Sequence, residues 1–98
     1  MNAEMTPEEV TVRMQLAMDR VTGLPPESID QIEMLILVGE RLVAFETLCT
    51  QVDEYEISLD QDLVQQLIEV GLAVGAEQQY TDLLRDTQVM WHRSATRP

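Results

Sequence analysis

The sequence predicts an all-α protein: a small single-domain bundle of four to five short helices arranged as antiparallel hairpins. Apolar residues recur at helical spacing in separate segments, and turn and capping residues divide these segments at short intervals. The chain has 98 residues, 45% of them hydrophobic, which suits one modest core and argues against wholesale disorder. Within the single domain 1–98 we expect the core over residues 6–87 and a flexible tail over residues 88–98.

The first helix has a clear start signal. Thr6 is expected to be its N-cap, Pro7 its first helical residue, and Glu9 the partner of Thr6 in a capping box. The helix is expected to run to about Val21 and to end before Gly23. Its apolar stripe consists of Val10, Met14, Ala17, Met18 and Val21.

The second helix is expected to begin at Pro26 or Glu27 and to run to about Val38. Its apolar positions form a wide band: Ile29, Ile32, Met34, Leu35, Ile36, Leu37 and Val38. A band this wide predicts the most buried helix of the set, and it leaves self-association open. By its period alone the run 34–38 also fits a strand, although the helical register before it favours a helix.

The third helix is expected over residues 41–54, after a short break at Gly39 and Glu40. Its apolar stripe consists of Leu42, Phe45, Leu48, Cys49, Val52 and Tyr55. Two apolar helices with so short a turn between them predict an antiparallel hairpin. Cys49, the only cysteine, lies on this stripe among acidic neighbours, so we expect a core cysteine and not a nucleophile.

Ser58 is expected to cap a fourth helix, with Asp60 and Asp62 in its first turn, where the helix dipole favours acids. Gly71 and Gly75 are expected to bracket the end of this helix. The apolar residues of the fourth helix are Leu59, Leu63, Leu67, Val70 and Val74, and those of a shorter fifth helix are Tyr80, Leu83 and Leu84.

The composition narrows the possible functions. Eighteen acidic residues stand against six basic ones, all of them arginine, which gives a net charge of −12. Such a charge disfavours nucleic acid and anionic membranes as partners and favours a protein with a basic surface. The N-terminal residues lack a secretory signal and no apolar run is long enough to span a bilayer, so we expect a cytoplasmic protein.

The chain also lacks the residues that most catalytic sites need. Without lysine it has neither a P-loop nor a Schiff-base amine, and its only histidine, His92, falls in the expected tail. Acidic residues 53–62 do not fit a calcium-binding EF-hand loop. We therefore expect no enzymatic activity, no metal and no cofactor, with hydrolysis by paired carboxylates as the enzymatic alternative.

Acidic residues concentrate between residues 40 and 62, where Arg41 is the only basic residue. On the helical prediction they form an acidic ridge along the outer side of the third helix and its exit. The predicted partner-binding residues are Glu46, Asp53, Glu54, Tyr55, Glu56, Asp60 and Asp62. A ridge of this kind can pair with a basic groove and accelerate association, whereas the alternative is a solvated face with acids that only favour the helix dipole.

The third helix and its exit carry a recognisable pattern of residues. Gly39 and Glu40 form a turn, and an Ala-x-Glu-x-Leu-Cys-x-Gln helix with an acidic and aromatic exit follows. This pattern resembles the MafI-type immunity proteins of bacterial polymorphic toxin systems. The matching residues are Gly39, Glu40, Ala44, Glu46, Leu48, Cys49, Gln51, Glu54 and Tyr55, whereas Asp53 departs from the aromatic residue that is commoner there. The segment 68–75 is similar to the family's Glu-x-Gly-x-x-x-Gly ending, so the resemblance covers residues 29–85.

The resemblance implies a small helical protein that binds and neutralises a cognate toxin, often a nuclease. We therefore expect an immunity protein that occludes the active site of a toxin with a basic surface, its oligomeric state left open. The alternative is an acidic helical adaptor or regulatory module unrelated to toxins. For such an adaptor Met14, Met18 and Met34 would supply adaptable apolar contacts, although core packing is the simpler role for them.

Overall fold

The computed structural model describes residues 5–86, and these residues form five helices and no strand. The helices are α1 (Pro7–Arg20), α2 (Pro26–Leu37), α3 (Arg41–Glu54), α4 (Gln61–Val74) and α5 (78–86). The predicted all-α bundle is therefore confirmed, with helix ends within one or two residues of those expected. The expected tail at 88–98, with His92, lies outside the described residues.

The predicted capping box starts α1. The amide of Glu9 donates to Oγ1 of Thr6 at 3.1 Å, and the amide of Thr6 donates to Oε1 of Glu9 at 2.9 Å. Each side chain thus satisfies an amide that the first helical turn leaves without a backbone partner. The stripe predicted for this helix is buried in the core: Val10, Met14, Ala17, Met18 and Val21.

Helices α1 and α4 pack against each other in antiparallel orientation. Arg13 pairs with Glu69 at 3.0 Å, and Arg20, at the end of the same helix, pairs with Asp62 at 3.2 Å. Because the residue number rises along α1 while it falls along α4, the two helices run in opposite directions. These ion pairs lie at the rim of the contact, where each contributes little to stability.

Helices α2 and α3 form the predicted antiparallel hairpin, joined by the turn 38–40. Oγ of Ser28, near the start of α2, donates to Oε1 of Gln51, near the end of α3. Ser28 is buried, so this bond satisfies a hydroxyl that would otherwise lose its water partner inside the protein. The same bond ties the start of α2 to the end of α3.

Helix α3 meets α4 where a glycine allows close contact. A Cβ atom on Gly71 would lie 2.7 Å from Cζ of Phe45, so only glycine lets this fully buried ring pack directly on the α4 backbone. As predicted, Gly71 and Gly75 bracket the end of α4: Gly71 lies inside the helix, which ends at Val74. Gly75 ends it alone, in the left-handed region at φ 77°, and the amide of Ala76 donates to the carbonyl of Gly71 at 2.9 Å.

The prediction that α2 is the most buried helix is wrong. α2 buries Ser28, Ile32 and Ile36, whereas α3 and α4 bury more residues each. Met34, Leu37 and Val38 are 58%, 76% and 60% exposed. The reason is that α2 packs against α3 and α1 on one side only, so an apolar band wider than that side has nothing to cover its far edge. The run 34–38 is helical as far as Leu37, which excludes the strand alternative.

The stripe of α3 is confirmed at its centre and wrong at its two ends. Phe45, Leu48, Cys49 and Val52 are fully buried, together with Ala44, which the stripe omitted. Leu42 is 38% exposed and Tyr55 is 45% exposed. Leu42 lies in the first turn and Tyr55 lies just past the last one, where the neighbouring helices no longer cover the stripe.

The start of α4 lies two residues later than expected. Asp60, and not Ser58, is the N-cap: its carboxylate accepts from the amide of Leu63 at 2.8 Å. Leu59 precedes the helix and is buried in the core, so the chain enters α4 with an apolar residue inward. Asp62 lies in the first turn, as predicted.

Candidate protein-binding surface

The predicted ridge begins on α3 with Glu46 and Asp53. These residues are seven positions apart, which is two helical turns, so they lie about 10 Å apart on the same side of the helix. Both are half-buried, whereas Glu54, the last residue of α3, is exposed. The ridge therefore starts as two carboxylates on one side of α3 and becomes fully accessible at its end.

The chain leaves α3 through a closed turn centred on Glu56. The amide of Ile57 donates to the carbonyl of Val52 at 2.9 Å, and Glu56 takes a left-handed conformation with φ 52°. This is the position that usually holds glycine at a helix end, and a residue with a side chain pays about 1–2 kcal/mol to occupy it. Tyr55 and Glu56 are both exposed, so the turn presents an aromatic ring beside a carboxylate.

Asp60 and Asp62 share one ion-pair partner within the fold, Arg20. Nη2 of Arg20 lies 3.1 Å from Oδ2 of Asp60, and Nη1 lies 3.2 Å from Oδ2 of Asp62. Arg41, the only basic residue between 40 and 62, forms no ion pair with these acids. Nε of Arg41 instead donates to Oγ1 of Thr11 at 2.9 Å. A sequence window around the acids does not reveal Arg20, because it comes from α1.

The environment of Asp60 keeps its carboxylate charged. The amide of Leu63 and then the nearby guanidinium of Arg20 lower the pKa of Asp60 below its ordinary 3.8. Asp60 therefore has two roles in the fold, as helix cap and as ion-pair partner, and Asp62 pairs with Arg20 and accepts from Nε2 of Gln66 at 2.9 Å. Four predicted site acids form no ion pair within residues 5–86: Glu46, Asp53, Glu54 and Glu56.

Cys49 lies fully buried beneath this surface. Burial raises the pKa of its thiol to about 12, and the negative charge of Glu46 adds to the shift. The thiol is therefore protonated at neutral pH and poorly nucleophilic. The predicted core role of Cys49 is confirmed.

An open groove of about 290 Å³ lies where α1 begins and α4 ends. Its lining is mainly apolar and consists of Met5, Pro7, Val10, Gly39, Glu40, Arg41, Leu42, Ala73 and Val74. The groove offers apolar contact area with one acidic and one basic side chain at its wall. Met14 and Met18, considered above as contacts for an adaptor, are buried and lie outside it, and Met34 is exposed on α2.

Between residues 5 and 86, no three His, Cys, Asp or Glu side chains come together in a group that could hold a metal ion. Within the same residues, no helix combines the length and apolar character needed to cross a membrane.

Sequence analysis missed one exposed surface, the outer side of α2. Met34, Leu37 and Val38 were assigned to the core, but they face outward. The signal was present in the sequence, because Glu27 and Asp30 share a helix side with Met34 and Leu37. Two carboxylates on that side mark it as the solvent side of the helix.

No family model, curated protein or solved structure matches this chain. The description of the fold and of the surfaces above therefore depends on the sequence and structure of this chain alone. The resemblance to the MafI-type immunity proteins stays a prediction.

Proposed function

We propose that this chain is an immunity protein, which binds a toxin with a basic surface and neutralises it by covering its active site. The observation that carries the proposal is the set of unpaired carboxylates on α3 and its exit: Glu46, Asp53, Glu54 and Glu56. Neutralisation of this kind requires no chemistry from the immunity protein, only a tight complex. Nanomolar affinity corresponds to about −12 kcal/mol.

The turn after α3 supports this surface as the contact. Exposed tyrosines are enriched among the residues that dominate binding energy, and Tyr55 stands between two carboxylates. Glu56 occupies a left-handed position that glycine would fill without strain. Retaining a charged side chain there is understandable if the carboxylate contacts a partner.

Asp60 and Asp62 have a smaller part in the proposal. Arg20 already pairs with both, and Asp60 also caps α4. A basic partner would have to compete with an intramolecular ion pair to reach them. We therefore place the main electrostatic contribution on the acids that precede them in the sequence.

The first experiment identifies the partner. A pull-down from the native host, followed by mass spectrometry, is expected to return a toxin domain with a basic surface. Adding the purified chain to that toxin should abolish its activity at a one-to-one ratio. A toxin that stays active in the complex would contradict occlusion, and a partner that is not a toxin would contradict the proposal itself.

The second experiment tests the ridge. Glu46→Gln, Asp53→Asn, Glu54→Gln and Glu56→Gln are combined in one variant, and association with the toxin is measured at several salt concentrations. Since complementary charge raises association rates by about 10–1000-fold, the variant should bind at least about tenfold more slowly at low salt and respond less to salt.

A charge-matched control removes four exposed acids from other helices and from the loop before α5: Glu8→Gln, Asp19→Asn, Glu77→Gln and Asp86→Asn. This variant has the same net charge as the ridge variant. It should retain most of the association rate. Equal rates and equal salt slopes for the two variants would assign the effect to overall charge and remove the ridge from the proposal.

The adaptor alternative is favoured by a different observation, the open groove at the other end of α3. Its apolar lining, including Val10, Leu42 and Val74, suits an apolar segment of a partner better than a basic nuclease. Substitution of Leu42 by serine distinguishes the two candidates. This substitution should weaken the binding of an adaptor's partner and leave the association with a toxin unchanged.

A further inference from the structure

The outer side of α2 carries a line of residues with the spacing of a helix–helix contact. Glu27, Asp30, Met34 and Leu37 follow one another at intervals of three, four and three residues. Ile32 and the rest of the core side point the opposite way, into the bundle. Intervals of three and four place residues on one stripe, which is how a helix presents itself to another helix.

This stripe is acidic in its first half and apolar in its second. Met34 and Leu37 are largely exposed, and Val38 extends the apolar end past the last helical residue. Contiguous exposed apolar patches rimmed by polar residues mark interaction surfaces when they are large. Nothing within residues 5–86 covers Met34 or Leu37.

The acids of α2 are also without basic neighbours. Glu27, Asp30 and Glu33 form no ion pair with any residue the structure describes. The segment 26–40 contains no basic residue at all. An incoming basic side chain would therefore meet carboxylates that no base of their own helix already neutralises.

We propose that the outer side of α2 docks a helix of another protein, one that is basic along one half and apolar along the other. Lysine or arginine side chains of that helix pair with Glu27, Asp30 and Glu33. Its apolar side chains pack on Met34, Leu37 and Val38. This is the helix-against-helix mode of peptide recognition, with charge setting the direction in which the partner lies.

A second copy of this chain fits the surface poorly. A two-fold symmetric contact brings the same surface of both copies together. If the two α2 helices ran antiparallel, the acidic half of each would lie on the apolar half of the other, and the carboxylates would lose water without gaining a partner. If they ran parallel, acids would face acids.

This surface is separate from the ridge on α3, and it does not require the partner to be a toxin. The test therefore uses a defined probe in place of a natural partner. The probe is a helical peptide of about two heptads that contains only leucine and lysine. On the side that would face α2, one half of the peptide carries lysine and the other half carries leucine. Its counterpart replaces every lysine with glutamate.

The first pair of variants tests the apolar half with matched leucines. Leu37 is 76% exposed in the last turn of α2, and Leu72 is 74% exposed near the end of α4. Leu37→Ser should weaken binding of the lysine peptide by at least about tenfold, the loss typical of a residue important for binding. Leu72→Ser should change it less than about twofold. Equal losses for the two variants would overturn the proposal.

The second pair tests the acidic half at equal charge. One variant combines Glu27→Gln, Asp30→Asn and Glu33→Gln, and the other combines Asp53→Asn, Glu54→Gln and Glu56→Gln. The α2 variant should lose most of the affinity for the lysine peptide, and the α3 variant should keep it. Equal binding of the glutamate peptide to the wild type would overturn the charge assignment.

Sedimentation of the chain alone tests whether a second copy of the chain occupies the outer side of α2. We expect a monomer for both the wild type and Leu37→Ser. A dimer that Leu37→Ser dissociates would overturn the proposal, because the surface would then serve self-association. Apart from Asp53, which is half-buried, the substituted residues are exposed, so urea unfolding should confirm an intact fold in every variant.

Discussion

Replacement of Glu56 by glycine is expected to stabilise the protein while removing a residue of the proposed contact. Glu56 has φ 52°, a left-handed conformation that costs a residue with a Cβ atom about 1–2 kcal/mol. Glycine avoids this cost but loses more backbone freedom on folding, about 0.5–1 kcal/mol. The net gain should be about 0.5–1 kcal/mol, which raises the Tm of a domain of this size by about 2–8 °C.

Two comparisons separate the backbone effect from the loss of charge. Glu56→Gln removes the same charge but keeps the Cβ atom, so the difference between Glu56→Gly and Glu56→Gln measures the relief of strain minus the extra backbone freedom that glycine loses. Glu54 lies two residues earlier, exposed, as the last residue of α3. There Glu54→Gly should be less stable than Glu54→Gln, because glycine weakens a helical position.

Thermal and urea unfolding give the stabilities of these four variants. Opposite signs at the two positions are the expected result. The same sign at both positions, or a Glu56→Gly variant less stable than Glu56→Gln, would refute the strain argument. A Glu56→Gly variant that is more stable and yet slower to bind the toxin would fit a conformation that is retained for function at a cost in stability.

Three further predictions concern the core and the cap of α4. Gly71→Ala should lower stability by up to about 2 kcal/mol in thermal unfolding. The new methyl group collides with Phe45, which costs about 1–3 kcal/mol and outweighs the gain of about 1 kcal/mol in helix propensity. Ala73→Gly on the exposed side of the same helix should show the propensity effect alone, and a stabilising Gly71→Ala would contradict the packing argument. Cys49 should react with iodoacetamide about 1000-fold more slowly in the folded protein than in urea, because a rise in pKa from 9.0 to about 12 removes that share of thiolate; similar rates in both states would contradict its burial. Asp60→Asn keeps a capping oxygen but loses the charge. Because the pKa of Asp60 is lowered by folding, the stability advantage of the wild type should be full above pH 3.8 and disappear as the pH falls below it; an advantage that does not change with pH in urea titrations would contradict this linkage.

The elements of the fold were predictable because their signals are local. Thr6 and Glu9 lie three residues apart, and their capping box depends on nothing outside the first turn of α1. Gly75 likewise ends α4 through its own left-handed conformation. Signals of this kind survive in any tertiary context, which is why the helix ends were expected nearly where they lie.

The errors in burial and in ion pairing came from tertiary contacts. Periodicity shows which side of a helix is apolar, but the number of neighbouring helices decides how much of that side is covered. α2 has an apolar band suited to a central helix and an edge position in the bundle, so Met34 and Leu37 stay exposed. The pairing of Arg20 with Asp60 was missed for the same reason, since forty residues separate them in the sequence.

The ion pairs of Arg13 and Arg20 lie in one half of the bundle, and the hairpin of α2 and α3 forms none among residues 5–86. Arg13 and Arg20 join α1 to α4 by ion pairs with acids of α4. The hairpin of α2 and α3 has only Arg41, and that guanidinium donates to Thr11 of α1 and to a backbone carbonyl. The carboxylates of the hairpin form no ion pair within residues 5–86, so a partner's bases can neutralise them without first breaking an ion pair of this chain.

Both proposed surfaces thus belong to one hairpin. The losses of binding affinity on substitution show whether one partner contacts both surfaces. The triple variants of α2 and of α3 are combined, and the loss of affinity for the toxin is compared with the sum of the separate losses. Contacts to different parts of one rigid partner should add within about 0.5 kcal/mol. If the α2 variant keeps its affinity for the toxin yet no longer binds the lysine peptide, the hairpin has two independent partners. If neither variant affects the toxin, neither surface is part of the toxin interface.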